Sequence, residues 1–288
     1  MSDVAWIAAD WGTSNLRVWG LDASGKVIET ARSDQGMGKL TPDQYEAVLN
    51  GLVAGWADGR TDVLICGMAG AKQGWTEAPY LSVPCAPAGA DAISVQTSGA
   101  LNVRILPGLC QMDPPDVMRG EETQIAGFLA TRPDFAGTIC LPGTHSKWVQ
   151  IAGGQVTSFR TKMTGELFNL LSEQSVLRHG MAGDWDDVAF TDGLKQSHDA
   201  LNALFTVRST GLLNPSKAAG ARSYLSGLLI GAELQGIDTA VPVVLIGDGK
   251  LSALYATALE HFGATSEIVD GEGLVLEGLK AAYAELKG

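Results

Sequence analysis

One internal repeat constrains this chain more than any other feature. The N-terminus reads W-I-A-A-D-W-G-T-S-N-L-R-V-W-G-L-D-A-S-G-K-V, and from Thr138 the chain reads T-I-C-L-P-G-T-H-S-K-W-V-Q-I-A-G-G-Q-V. A shift of 131 places Gly12 on Gly143, Thr13 on Thr144 and Val18 on Val149. With two residues lost in the second turn, Gly25 falls on Gly154 and Val27 on Val156. Each copy is an apolar strand, a Gly-Thr turn, a second strand, a Gly-containing hairpin turn and a third strand. Two such copies, each opening about half of the chain, indicate a duplicated domain.

Between and after the copies, helical and strand patterns alternate. Tyr45, Val48, Leu49, Leu52, Val53 and Trp56 recur at helical spacing, and Asp62–Cys66 is a short apolar strand. Ile125, Phe128 and Leu129 predict a helix just before the second copy. Leu167, Leu170, Leu171 and Leu177 predict one helix, and Leu225, Leu228, Leu229 and Ala232 another. A strand over Val241–Ile246, a helical face from Leu251 to Phe262, a strand over Thr265–Val269 and a helix over Leu274–Leu286 close the chain. The order implies layered α/β domains. The lobes are expected at 1–136, joined by the C-terminal helix 273–288, and at 137–272. The Pro- and Gly-rich stretch from Gly67 to Asp91 lacks periodicity and reads as a functional loop.

Charge narrows the partners. A net charge of −12 without a basic cluster argues against nucleic acid or an anionic membrane. Apolar runs of about six residues fall far short of the roughly 20 that span a bilayer. No basic stretch followed by an apolar one opens the chain, so no secretion signal is read. Cys66, Cys85, Cys110 and Cys140 form no C-x-x-C pair, which excludes zinc-ribbon and thioredoxin-type motifs. Cys66 and Cys140 lie in apolar runs and read as buried, reduced thiols, consistent with a cytoplasmic location.

The first turn, Asp10-Trp11-Gly12-Thr13-Ser14-Asn15, has the chemistry of a phosphate site. An aspartate ending an apolar strand is costly unless solvated, paired or bound to a metal. Glycine brings backbone N–H groups close to a ligand, and Asp10 can hold Mg²⁺ through water. Arg17 adds positive charge nearby. A plain hairpin with an Asx-type turn is the structural alternative. The second turn, Gly143-Thr144-His145-Ser146-Lys147, favours the phosphate reading, because paired Gly-Thr hairpins can grip a triphosphate from both sides of a cleft. A strand ending in Gly247-Asp248-Gly249 and feeding a helix suits a nucleotide at a helix N-terminus. Gly20–Val27 only mimics a P-loop, since Val27 stands where a Mg²⁺-binding hydroxyl is needed.

These three elements fall in the order of the phosphate-1, phosphate-2 and adenosine motifs, and the chain resembles the actin, Hsp70 and hexokinase superfamily. Further runs are more specific: C-G-M-A-G-A-K-Q-G-W-T-E-A-P-Y at 66–80, M-R-G-E-E-T-Q at 118–124, L-P-G-T-H-S-K-W at 141–148, T-G-E-L-F at 164–168 and Y-L-S-G-L-L-I-G at 224–231. Together they resemble the 2-dehydro-3-deoxygalactonokinase family over nearly the whole chain. The resemblance implies a two-lobed, duplicated ribonuclease H-like α/β fold with an ATP cleft between the lobes. It implies transfer of the ATP γ-phosphate to the 6-hydroxyl of 2-dehydro-3-deoxy-D-galactonate, with ATP and Mg²⁺ as cofactors. Rival functions are a kinase for another sugar or sugar acid, an actin- or Hsp70-like ATPase, and a phosphohydrolase. A homodimer is one admissible assembly.

In this reading Asp10 positions Mg²⁺, while Gly12, Thr13, Ser14, Asn15, Gly143, Thr144, His145 and Ser146 contact ATP. Lys147 and Arg17 offset developing charge, and Gly247, Asp248 and Gly249 seat the adenosine side. The superfamily's phosphate-2 aspartate is replaced by Pro142, so the base must come from elsewhere. Glu121 or Glu122 at a helix start is the candidate, by analogy with a Glu-rich turn of related exopolyphosphatases, with Asp113 and Asp116 as alternatives. Helix-dipole compensation is the other reading of these glutamates. Trp11, Gln73, Trp75, Glu77 and Tyr80 are expected at the sugar, and Lys72, Arg104 or Arg119 at its acid group. Simple loop packing is the alternative for Trp75 and Tyr80.

Overall fold

The computed structural model describes every residue except 1–2, 57–59, 88–90, 182, 239–240, 242 and 248, with the side chains of 215–217 also left aside. Among the described residues there are two main sheets. The first is built on β1 (Trp6–Trp11), β2 (Leu16–Leu21), β3 (Val27–Ser33), β4 (Thr61–Gly67), β6 (Ile93–Ser94) and β7 (Leu101–Ile105), in the order β3-β2-β1-β4-β7-β6. The second is built on β10 (Gly137–Leu141), β11 (Ser146–Ala152), β12 (Gln155–Lys162), β13 (Val243–Ile246) and β14 (Ser266–Val269), in the order β12-β11-β10-β13-β14. A hairpin followed by parallel strands on its other edge thus occurs twice. The shift found in the sequence carries β1 onto β10 and β2 onto β11.

The chain divides into two compact units. One comprises 1–136, 150–159 and 271–288, and the other 137–149 and 160–270.

In the first unit, β1 lies between β2, which is antiparallel to it, and β4, which is parallel. A central strand of this kind is covered on both faces, so alternate residues enter different cores. Ile7, Ala9 and Trp11 join Tyr45, Leu49 and Val53 from α1 (Tyr45–Leu52) and the turn after it. Trp6 and Ala8 join Val275, Leu279 and Ala282 from α8 (Gly271–Lys287). Each fully enclosed leucine of this kind contributes about 1.5–3 kcal/mol. Asp10 shares the parity of Trp6 and Ala8, so it ends the strand on the α8 side. A small sheet of β5 (Tyr80–Ser82), β8 (Gly108–Met112) and β9 (Pro115–Met118) follows the Gly67–Tyr80 loop.

α2 (Glu121–Thr131) packs on α8 through glycine. A β-carbon at Gly127 would overlap the Leu274 carbonyl, and one at Gly278 would overlap the Thr123 carbonyl. The two backbones therefore touch, and the first turns of both helices are set by that contact.

The second unit inserts a helical block after its hairpin: α3 (Thr164–Asn169), α4 (Asp187–Gln196), α5 (Ala200–Leu213) and α6 (Ala221–Leu234), then α7 (Gly249–His261) after β13. Its core joins Cys140, Trp148, Phe190, Leu194, Ile230, Leu234, Leu245 and Tyr255. The single helix predicted from Leu167 to Leu177 is instead broken. α3 runs into a π-helical turn at Leu170–Gln174 and a 3₁₀ turn at Val176–Gly180. Leu167 and Leu170 are exposed while Leu177 is buried, so the four leucines do not share a face. Cys66 and Cys140 are buried free thiols, as read. No described helix is long and apolar enough to cross a membrane.

Gly278→Ala should destabilise the protein by about 1–3 kcal/mol, because the added methyl group forces the two helices apart. Chemical denaturation, compared with the exposed control Gly273→Ala, measures this.

Candidate active site

Asp10 is held where three strands meet. Its register partners are Arg17 on β2 and Cys66 on β4. Arg17 donates to Asp10 Oδ2 from Nη2 at 2.6 Å and from Nε at 3.2 Å, leaving the pair one-fifth to one-quarter exposed. Asp10 Oδ1 lies 3.8 Å from Cys66 Sγ. Burial, and then the charges of Asp10 and Glu122, push the Cys66 thiol far above its usual range. Asp10, Gly12, Thr13, Ser14, Asn15, Leu16 and Arg17, with Arg32, Ser33 and Asp34, line a cleft of about 800 Å³. Thr13, Ser14 and Asn15 are exposed along it. The turn is closed by Gly12 N–H on the Asn15 carbonyl at 2.8 Å. It is braced by Met37 N–H on Gly12 O at 3.0 Å and Gly38 N–H on Thr13 O at 2.9 Å.

Beside Asp10, β4 ends at Gly67 with φ +87°, where a β-carbon would lie 2.7 Å from the Trp11 carbonyl. Only glycine fits that approach. It brings the start of α2 alongside. Glu121 accepts from the Arg119 N–H at 3.1 Å. Glu122 accepts from the Gly120 N–H at 2.6 Å and from the Thr123 hydroxyl at 3.0 Å. Glu122 is only 1% exposed, and burial, reinforced by the neighbouring Glu121 charge, pushes its carboxyl up to about 8. Glu121 is half-buried, the more accessible of the two.

Arg119 secures the loop before β5. Its Nη2 donates to the Ala78 carbonyl at 2.8 Å, and its guanidinium stacks 4.3 Å from the Tyr80 ring centre. Its Nε and Nη1 are buried without a hydrogen-bond partner among the described residues. Gln73, Glu77 and Lys72 are exposed on the loop, and Arg104 is half-buried on β7. Asp113 is exposed in the turn between β8 and β9 and Asp116 is half-buried on β9, and neither stands in the Asp10 cleft.

In the second unit, Gly143 and Thr144 form one wall of a pocket of about 370 Å³. Thr164, Phe168, Trp185, Arg222, Leu251 and Leu254 line the remainder with their neighbours. Arg222 stacks over Phe168 at 5.0 Å. The start of α3 sits directly on the turn: the Glu166 N–H donates to Thr144 O at 3.0 Å, and a β-carbon at Gly165 would overlap Gly143 O. His145 pairs with Glu166. A β-carbon at Gly247 would lie 3.7 Å from Pro142, so the turn that opens α7 adjoins the hairpin turn, and Gly249 faces open space. Asp248 lies outside the described residues.

A family model described as 2-keto-3-deoxy-galactonokinase matches residues 10–282. The chain belongs to this family. A Rhizobium meliloti (strain 1021) protein described as a 2-dehydro-3-deoxygalactonokinase is 42% identical, covering 96% of this chain and 95% of that protein. An Escherichia coli (strain K12) 2-dehydro-3-deoxygalactonokinase is 37% identical, covering 96% of each. A crystal structure of such a protein from Sinorhizobium meliloti superposes with a TM-score of 0.90 at 41% identity, over 96% of this chain and 97% of that one. A Porphyromonas gingivalis protein described as an N-acetylglucosamine kinase shares the fold, with a TM-score of 0.50 at 11% identity over 98% and 100% of the two chains. The architecture is a mixed α/β fold that this kinase shares.

For a kinase of this family, several residues take places other than those expected. Trp11 is fully enclosed: its indole N–H donates to Gln35 O at 3.0 Å and its ring packs on Tyr45 and Trp75. It is a core residue and has no surface to offer a sugar. Trp75 packs in the same cluster and keeps part of its surface. Ser146 is fully buried, with its hydroxyl 2.8 Å from the Tyr255 hydroxyl, so it faces the core and not a phosphate. Its strand position follows from alternation along β11, which turns Ser146 and Trp148 inward together. Lys147 is 6% exposed, and its ammonium donates to Thr161 at 2.8 Å. Glu122 is enclosed with both oxygens engaged. Phe168, Trp185 and Arg222 escaped sequence reasoning because they are scattered across the helical insertion. Glu233 did leave a signal: it is a lone charge in the apolar run L-L-I-G-A-E-L.

The raised Glu122 carboxyl has a measurable consequence. Between its ordinary value of 4.5 and about 8, the folded chain keeps a proton that the unfolded chain has released. Stability from this group is complete below the lower value and is lost as pH rises through the upper one. Wild-type stability should therefore fall relative to Glu122→Gln by up to about 1.4 kcal/mol per pH unit across that window. Urea unfolding of both proteins at several pH values tests this.

Proposed function

We propose that this protein transfers the γ-phosphoryl group of ATP to the 6-hydroxyl of 2-dehydro-3-deoxy-D-galactonate, in the cytoplasm. The observation that carries the reading is the Asp10 cleft: a strand-end carboxylate beside a Gly-Thr-Ser-Asn turn, with the start of α2 brought next to it by Gly67. Phosphoryl transfer asks a protein mainly for placement and charge neutralisation.

Asp10 is suited to Mg²⁺. Among the described residues no group of three or more His, Cys, Asp or Glu could hold a metal alone. One carboxylate fits an ion that keeps most of its waters and takes phosphate oxygens as further ligands. Bound there, Mg²⁺ would neutralise the β and γ phosphates. Arg17 pairs with the Asp10 carboxylate and holds it in place at the cleft. Gly12 shapes the turn, and Thr13, Ser14 and Asn15 supply donors to phosphate oxygens.

The nucleotide body belongs to the second unit in this reading. Gly143 and Thr144 receive phosphate, and the apolar and aromatic lining from Phe168, Trp185, Leu251 and Leu254 receives adenine. Gly249 opens α7, whose N-terminal N–H groups are offered to the nucleotide in this reading. Lys147 and His145 order the turn through Thr161 and Glu166.

The sugar acid lies against the 68–80 loop, with Gln73, Glu77 and Tyr80 toward its hydroxyls. Arg119 holds that loop through the Ala78 carbonyl and the Tyr80 ring. Glu121 serves as the base, because it is the accessible carboxylate at the start of α2, while Glu122 keeps the Gly120 turn in shape.

ADP release should depend on 2-dehydro-3-deoxy-D-galactonate within a panel of 2-keto-3-deoxy sugar acids and plain hexoses. Equal ATP turnover without any acceptor would instead establish a phosphohydrolase. Glu121→Gln should lower kcat by about 10²–10⁴ with little change in KM, and Asp10→Ala should abolish Mg-ATP turnover while the far-UV circular dichroism stays unchanged.

A further inference from the structure

The second unit buries a carboxylate that the proposed chemistry does not employ. Glu233, on α6, is 4% exposed. Its Oε1 accepts from the Trp148 indole N–H at 2.7 Å, and its Oε2 accepts from the Tyr255 hydroxyl at 2.7 Å. The Thr164 and Ser146 hydroxyls are further hydrogen-bond partners. Tyr255 OH also lies 2.8 Å from Ser146 Oγ. Four elements, β11, α3, α6 and α7, thus converge on one carboxylate. A buried charge is tolerated only when its lone pairs are satisfied in this way.

Two of those partners belong to the pocket assigned to the nucleotide. Thr164 and Tyr255 line it. Thr164 opens α3, whose next residues, Gly165 and Glu166, rest on Gly143 and Thr144. Ser146 follows the same turn on its other side. One carboxylate therefore fixes the turn at both ends: through Thr164 beneath it and through Ser146 and Tyr255 after it.

We infer that Glu233 is the positioning residue for the nucleotide pocket, holding the Gly143–Thr144 turn and the Tyr255 wall in binding geometry without touching the nucleotide. The inference rests on the assignment of that pocket to ATP. A glutamine at 233 would keep the shape but turn an N–H₂ group toward hydrogen-bond donors.

The test is a double-mutant cycle on Mg-ATP affinity by titration calorimetry, using Glu233→Gln, Thr164→Val and the double variant. Each single change should weaken ATP binding about tenfold, and the double variant should be no weaker than the worse single one. The KM for the sugar acid should stay within about twofold, which a general loosening of the fold would not allow. Wild-type affinity in a folded Glu233→Gln, or losses that multiply in the double variant, would overturn the inference. If Glu233→Gln does not fold, Thr164→Val and Tyr255→Phe form the same cycle through the shared carboxylate, with the same two outcomes. An ATP affinity left unchanged by Leu254→Trp, which fills the pocket, would remove the pocket assignment itself and the inference with it.

Discussion

A carboxylate ending a strand that is buried on both faces must be compensated, and Asp10 organises the first unit around that requirement. Arg17 neutralises it from β2, Cys66 presents a polarizable neutral neighbour from β4, and the cleft leaves it partly hydrated. The cost of placing a charge there is met by residues that also build the site. The strand is central because its alternate residues feed two cores, and those cores fix where its last polar residue points.

Duplication has not produced two equivalent sites. The shift that matches the turns sets Leu141 opposite Asp10, and Pro142 follows it. The second copy keeps the Gly-Thr turn and loses the charge. Its buried carboxylate, Glu233, comes from a helix inside the inserted block and faces the core, where it orders hydroxyl groups. The first unit thus places negative charge at a surface, while the second hides it beneath one. The same β-frame carries a partly hydrated carboxylate cleft in one copy and a largely apolar pocket in the other.

The repeat and the hairpins were legible because strand alternation and turn chemistry are local. β4, β13 and β14 were legible as apolar strands outside the repeat, and β6 and β7 were not. Local pattern failed where tertiary contact decides. Trp11 looks like a site residue by its place in the motif, but its parity with Ile7 and Ala9 sends it into the core. Ser146 and Trp148 are turned inward by the same rule. The leucines from 167 to 177 read as one helix because spacing alone cannot show a π-turn. Glu121 and Glu122 are adjacent and chemically alike, and only the turn at Gly120, with φ +108°, decides which is enclosed. The pocket of the second unit draws on the hairpin turn, on α3, α6 and α7 and on Trp185, so no window of sequence contains it.

The bare backbone contact between α2 and α8 has a bearing on how this unit can change. Glu121 stands at the first position of α2, and Glu272, which reaches Arg32 and lies 3.8 Å from Arg17, stands in the first turn of α8. The glycine seam two turns further on works as a caliper that fixes the spacing of these acidic tips. Greater robustness for this unit is closed off along that seam, since any bulk added there is read out at the tips. It remains open on the outer faces of the helices, where altered side chains leave the caliper untouched.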